Sequence, residues 1–488
     1  MTRMEENPQE ELMRALIEQD PGLPRTNPTT AYWQDPPHKL SNTQSASLPS
    51  KIDIAVIGSG ITGASVTKTI LENHPSMKVT VFEARTICSG ATGRNGGQLA
   101  INAAETYVKT REAVGAEMAG KIVRFSLKTL QAMRKVAREF SGADFPEAQD
   151  TEVTEVTKVR SFMDEESFRG MQYGVRELEA DHPYLRGIYT VIDAETCQKD
   201  HGIHGAVGGV MHGAGSVWPY RIVTNLFDAL LAQHASRLAI ETNTPITRVT
   251  YEPSTDADHP YILDSLRGTL RATQVAYCTN GYTGHLLPSL RGALFPLKET
   301  MTVQELNPAI SRSAPTSWAI HYTPYLDANT GTYADGLTYG MQSAKSGYYF
   351  FGGAKCAPDE LISSDDTVLV DSSVQLLQDS VTSLFGRESK DSRLISAWSG
   401  VMCFSSDSMP LVGRLPSKMT NRAGEGEWIC GAYNGYGMPS AWLAGESLAL
   451  MILNQPPRDY LPEVFFLSED RLKQGLSVER SMEFLKAD

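Results

Sequence analysis

One segment constrains this chain more than any other: the run Lys51-Ile52-Asp53-Ile54-Ala55-Val56-Ile57, which leads into Gly58-Ser59-Gly60-Ile61-Thr62-Gly63. β-Branched residues crowd ahead of the first glycine and predict a strand. A helical pattern then runs from Ile61 to Asn73, and a second apolar run, Lys78 to Ala84, predicts another strand. Gly58 permits the tight turn, Gly60 lets backbone approach a pyrophosphate, and Gly63 allows helix and strand to pack closely. The helix start at Ile61 and Thr62 offers free N–H groups to a phosphate. Glu83, 20 residues after Gly63, ends the second strand, where it can accept hydrogen bonds from ribose hydroxyls and would repel a 2′-phosphate. A lone G-x-G-x-x-G is often only a turn. Strand, helix, second strand and acid together predict a bound dinucleotide, without choosing between NAD and FAD.

After Glu83 come Ala84 and Arg85 and then a stretch rich in glycine and hydroxyls, Ser89-Gly90-Ala91-Thr92-Gly93-Arg94-Asn95-Gly96-Gly97-Gln98. Its backbone N–H groups are little shielded by side chains, and Arg94 adds fixed positive charge, which suits a pyrophosphate and an electron-rich ring. A flexible linker is the plainer alternative. This segment resembles the G-A-T-x-R-N-G-G block of the D-amino-acid-oxidase-like FAD oxidoreductases of the glycine/sarcosine oxidase type. The resemblance implies that Ala84, Arg85, Ala91, Thr92, Arg94, Asn95, Gly96, Gly97 and Gln98 join the flavin-binding set. Residues 245–249 look like that family's adenine-touching strand, with Val249 as the contact. Residues 276–281 look like its returning strand and turn, with Asn280 and Gly281 at the cofactor. Near the C-terminus, Gly400 and the turn Gly435-Tyr436-Gly437-Met438 resemble the blocks that place a helix N-terminus against the flavin pyrimidine, where its dipole favours negative charge. The resemblance covers residues 51–455.

Several positions depart from the family pattern. The flavin-attaching cysteine of sarcosine-oxidase-like members falls at Gly400 rather than Cys403, so non-covalent FAD is expected. Their carboxylate-binding lysine corresponds to Pro439, their oxygen-activating lysine to Phe350, and the family's common histidine between two glycines to Tyr436. The chain looks most like the gamma-glutamylputrescine-oxidase-type branch. The resemblance implies oxidation of a C–N bond in a small amine or amino acid by hydride transfer to flavin N5, with O2 or another electron acceptor. Because an amine needs its lone pair to support the developing iminium, the site should favour the neutral form, and no obligate protein base is required. Besides Arg94 and Tyr436, the substrate-side candidates are Lys298, His321 and Tyr322. Lys298 also reads as a solvated cation, and His321 as a hydrogen-bonded structural residue. A flavin-dependent tailoring oxidase or isomerase of a larger metabolite is the alternative activity, and a non-catalytic dinucleotide-binding protein the alternative class.

With 488 residues the chain is long enough for two lobes, and a net charge of −13 disfavours nucleic acid or an anionic membrane as partner. Six cysteines lack C-x-x-C spacing, and His201 and His204 have no third ligand nearby, so no metal is expected. The acidic N-terminus does not read as a signal peptide and no apolar run of 18 residues occurs, which makes the cytoplasm the expected compartment. The expected fold is α/β with an α+β second lobe: a Rossmann-like FAD-binding domain interleaved with a mixed, largely antiparallel substrate-binding sheet. Residues 1–50 form an extended arm beginning with a short helix. Residues 51–110, 200–285 and 392–455 build the FAD domain, residues 111–199 and 286–391 the substrate domain, and residues 456–488 a tail. A single helix is expected over residues 105–140.

Overall fold

The strand that opens the fingerprint, Lys51–Ile57, lies at the centre of a parallel array with Ala55 and Val56 fully buried, as its unbroken apolar run requires. In this computed structural model, which describes residues 8–142, 148–307 and 315–487, two sheets organise the chain. The first runs Leu238–Glu241, Val79–Phe82, Lys51–Ile57, Gly268–Tyr277, Glu427–Gly431, Leu411–Arg414. The first five strands are parallel neighbours and the last is antiparallel. Two further strands, Ile246–Tyr251 and Tyr261–Ser265, extend Gly268–Tyr277 as an antiparallel meander. The fingerprint helix Ile61–Asn73 packs against the late helix Ala441–Ile452. Their contact is close because Gly445 sits where a Cβ would lie 2.9 Å from the Ser65 side chain, and Ser65 Oγ donates to Trp442 O at 2.5 Å.

The second sheet runs Ser392–Ser405, Leu294–Leu306, Tyr349–Cys356, Thr332–Gln342, Thr316–His321, Thr154–Phe162, Gly208–Ser216, Gln98–Leu99. Its pairings are antiparallel apart from Thr316–His321 beside Thr154–Phe162. The mixed α/β architecture with a largely antiparallel second sheet is therefore the one expected.

Two details differ from expectation. Strands Gly208–Ser216 and Ser392–Ser405, placed by sequence in the first lobe, hydrogen-bond within the second sheet. Sheet membership follows from distant partners, Thr154–Phe162 and Leu294–Leu306, which no local pattern names. The helix expected over 105–140 is two helices, Ala103–Val114 and Ala116–Glu139, broken where Gly115 adopts φ +80°. The N-terminal helix Pro8–Glu18 and the tail helix Val478–Ala487 pack together, their Ile17 and Met482 burying Phe295 and Leu297 of the second sheet. Among the described residues no helix is long and apolar enough to cross a membrane.

Candidate active site

A cavity of about 1310 Å³ begins at the glycine turn, passes under the loop after Glu83 and ends against the second sheet. It exceeds the roughly 300–1,000 Å³ of a site for one drug-sized molecule, leaving room for a dinucleotide and a second ligand. At its first end the backbone is shaped for close approach. Gly58 has φ +114°, and a Cβ there would lie 2.5 Å from the Cys278 carbonyl oxygen; one on Gly63 would lie 2.0 Å from Gly58 O. Gly60 precedes the helix, and Thr92 Oγ1 accepts from Ile61 N at 3.0 Å, tying the later loop to the helix start. Glu83 is held by Ser59 Oγ and N, at 2.6 and 3.2 Å, and by Arg85 N at 3.1 Å, so its carboxylate is fixed beside the turn. Gly58, Gly60, Ile61, Thr62, Glu83, Ala84 and Arg85 all line the wall. This cradle fits an adenine dinucleotide, whose phosphates bare backbone would receive and whose ribose the fixed acid would meet.

The loop continues along the cavity with Ala91, Thr92, Arg94, Asn95, Gly96 and Gln98 in the wall. Arg94 donates to Ser89 O at 2.8 Å, Ser399 O at 2.9 Å and Thr29 O at 2.6 Å. Burial pulls its pKa down to about 10, against the pull of Asp366, and Asp366 itself is held by Arg85 at 2.8 Å. Thus the arm residue Thr29 and the second sheet clamp this loop through one guanidinium. Trp33, also in the arm, donates to Asn95 O at 2.6 Å and stacks on Phe350 at 4.3 Å.

At the far end lies a polar nest. The Thr154–Phe162 strand alternates faces, so Lys158 and Arg160 point to the cavity together. Arg160 pairs with Glu105 and donates to Ile101 O at 2.8 Å; Lys158 donates to Gln98 Oε1 and, at 2.6 Å, to Trp318 O. Burial drives the Lys158 pKa well down, and the Arg160 charge adds to this. His321 stacks on Phe162 at 4.7 Å with Nδ1 3.9 Å from Glu105, and burial lowers its pKa to about 4. Tyr436 enters from the turn before Ala441–Ile452, its phenol pKa raised by burial and by Glu105. On the opposite wall Glu299 accepts from Tyr339 Oη at 3.1 Å.

A sequence profile of the family described as FAD dependent oxidoreductase (DAO) matches residues 53–451. The chain belongs to this family. Membership implies a flavin cofactor, in keeping with the cradle. Gamma-glutamylputrescine oxidoreductase of Escherichia coli (strain K12) is 21% identical over 451 residues, covering 89% of this chain and 91% of that protein. Glycine oxidase from Geobacillus kaustophilus matches with a TM-score of 0.64 at 16% identity, over 86% of this chain and 99% of its own. L-proline dehydrogenase from P. horikoshii matches with a TM-score of 0.62 at 16% identity, over 88% and 99%. These two structures share the fold.

Within this family fold, most of the expected contacts converge: Asn280, Gly281, Gly400, Gly435, Tyr436, Gly437 and Met438 line the cavity with the residues above, and so does His321. Others do not. Gly63 and Gly97 lie behind the wall, Gly97 with φ +66° and a Cβ position 2.9 Å from the Trp33 ring, so each shapes backbone that others expose. Val249 is 4% exposed in the core and Ile246 lines the wall in its stead. Lys298 is neither substrate-facing nor solvated: strand alternation turns Leu297, Glu299 and Met301 to the cavity and buries Lys298 on the other face, near Asp365 and Glu360. The same alternation turns Tyr322 out of the wall beside His321. Phe350 packs against Trp33 instead of lining the cavity. Glu105, Lys158, Arg160, Glu299 and Tyr339 went unnamed in the sequence. The signal for two of them was legible, since Lys158 and Arg160 stand two apart on a strand where apolar residues belong. No group of three metal-ligating side chains occurs among the described residues.

Proposed function

We propose that this protein is an FAD-dependent amine or amino-acid oxidoreductase that oxidises a C–N bond of a small substrate. The observation that carries this reading is the continuity of one cavity from the phosphate cradle at Gly58–Ile61 to the polar nest at Glu105, Lys158, Arg160 and His321. A cofactor and a small polar substrate can thus share one space. Its flavin, when bound, supplies a two-electron acceptor at N5 for a hydride from the carbon next to nitrogen. The names of the relatives, an amine oxidoreductase among them, agree with it.

The chain's own residues bind and orient. Arg160 gives the nest a cation suited to a substrate carboxylate or other anion, offset in part by Glu105, and Lys158, its pKa lowered by burial, adds N–H donors. Neutral His321, held between Phe162 and Glu105, offers ring nitrogens and no charge. The helix Ala441–Ile452 begins beside Gly437 and Met438, and its N-terminal dipole favours negative charge at that end. Non-covalent attachment is supported by Gly400 in the wall where an attaching cysteine is expected; Cys403 also lines the cavity, but burial pushes its thiol up to about 12 and so disfavours the thiolate. The returning electrons go to O2 or another acceptor.

The test is anaerobic flavin reduction. Purified protein should be yellow and should bleach with members of a panel of amines and amino acids. Admitting oxygen then separates oxidase from dehydrogenase. Yellow protein that no amine or amino acid bleaches defeats the proposal.

A further inference from the structure

The carboxyl groups along this cavity differ in how they are neutralised. Glu83 is fixed by Ser59 and Arg85 N–H donors at the ribose end, and Glu105 pairs with Arg160. Glu299 stands apart. Its carboxylate accepts one hydrogen bond, from Tyr339 Oη at 3.1 Å, and among the described residues no Lys, Arg or His pairs with it. Its side chain is half-buried and lines the cavity, and desolvation raises its pKa, with the Tyr339 bond opposing. The ionisable groups that face it are acids: Tyr339, with Asp335 beyond it, from Thr332–Gln342; Cys356 from Tyr349–Cys356; and Tyr436 from the turn before the last long helix. A partly desolvated carboxylate without a cation is costly unless its partner arrives with a ligand.

Its position is also defined. Glu299 lies opposite Gly400 across the strand pair. The Tyr339 ring is seated so closely on Gly96 and Gly352 that a Cβ on either would lie 2.9 Å and 2.6 Å from ring carbons. The tyrosine therefore has one place to be, and it aims its hydroxyl at Glu299. Gly96 and Gly400 are both in the cavity wall, on the segments the family resemblance assigns to the flavin ring.

We propose that Glu299 binds the ammonium form of the substrate and takes one proton from it, with Tyr339 as the positioning residue. This rests on the amine-oxidoreductase reading and names its substrate class: an amine that enters as a cation. In the step an N–H bond breaks, its electron pair stays on nitrogen, and an O–H bond forms on the Glu299 carboxylate. Nothing is oxidised or reduced. The neutral amine left behind has the lone pair that C–H oxidation requires. Partial desolvation of the carboxyl raises its affinity for a proton, which narrows the gap to that of an amine.

The test titrates the FAD-loaded protein anaerobically with n-butylammonium chloride and, separately, with sodium butyrate, following the flavin absorption spectrum from pH 5 to pH 9. The wild type should take up butylammonium saturably, less tightly as pH falls and Glu299 becomes protonated. Glu299→Gln, nearly isosteric, should weaken butylammonium by about tenfold or more, abolish that pH dependence and leave butyrate within about twofold. Tyr339→Phe should give a smaller loss, since the carboxylate remains. Glu299→Gln protein of wild-type flavin content and Tm that binds butylammonium unchanged overturns the proposal, as does a yellow wild type that butylammonium does not perturb. Either result leaves the broader reading standing if amines or amino acids still bleach the flavin. A colourless protein would remove both.

Discussion

Steric room at single atoms decides what the glycine turn tolerates. A Cβ on Gly63 would lie 2.0 Å from Gly58 O, backbone that cannot step aside, whereas one on Gly60 would meet Thr92 Oγ1 at 3.0 Å, a side chain that can rotate. Gly63→Ala should therefore cost about 1–3 kcal/mol or more and lower flavin content, and Gly60→Ala should cost less; flavin-to-protein absorbance ratios and urea unfolding measure both. Charge at single residues makes a second prediction. His321 in the folded protein has its pKa lowered to about 4 by burial, while in the unfolded chain it titrates near 6.5. Between those values the unfolded state binds the proton and the folded state does not, so stability falls as pH falls. His321→Gln should remove up to about 1.4 kcal/mol per pH unit of that slope, read from urea unfolding between pH 7 and pH 4. His212, lowered to about 3 by burial and Arg160, should retain its own share of the slope in the variant.

Elements remote in sequence hold the glycine-rich loop of the cavity wall. Trp33 of the arm is 2% exposed, stacks on Phe350 of Tyr349–Cys356, and donates to Asn95 O, while Trp218 Nε1 donates to Trp33 O at 2.6 Å. The arm is thus a strap across the loop 94–98 and not a loose lead-in. Trp33→Ala should destabilise the fold by about 3–5 kcal/mol and weaken FAD binding, although Trp33 does not line the cavity. Urea unfolding and FAD titration of the deflavinated protein would show both; weakened stability with unchanged FAD affinity would mean the strap does not reach the site. Which loop the arm crosses was not legible in its sequence, whose prolines and polar residues read as an extended chain after a short helix. The fingerprint was legible because one βαβ unit writes all its constraints within 33 residues, from Lys51 to Glu83. Lys158 and Arg160 could have been singled out from their two-residue spacing, but Glu105, their countercharge, lies on a different element and has no local signature.

At the scale of the molecule the cavity is walled by both sheets, so its contents should stabilise the whole. FAD bound across the seam adds free energy as RT ln(1 + [FAD]/Kd), about 2.7 kcal/mol at one hundred times Kd. Deflavinated protein should accordingly melt at a lower temperature, and Tm should rise with added FAD in differential scanning calorimetry. A Tm indifferent to FAD would contradict a site formed between the sheets. The N- and C-terminal helices matter at this scale too. They close on each other over Phe295 and Leu297, next to the strand that carries Glu299, so both chain ends buttress the substrate wall.

The amino-acid sequence by itself determined the cofactor class and the αβ character of the cradle, because turn glycines, strand period and a terminal acid act over short chain distances. It also named many of the residues that line the one cavity, through blocks whose chemistry is local. Tertiary structure alone decided which strands joined which sheet and which side of Leu294–Leu306 faces inward, turning Glu299 to the cavity and Lys298 away. The physical reason is that hydrogen-bond partners and strand faces are settled by contacts between distant segments, and a shift of one residue exchanges a buried cation for a buried acid.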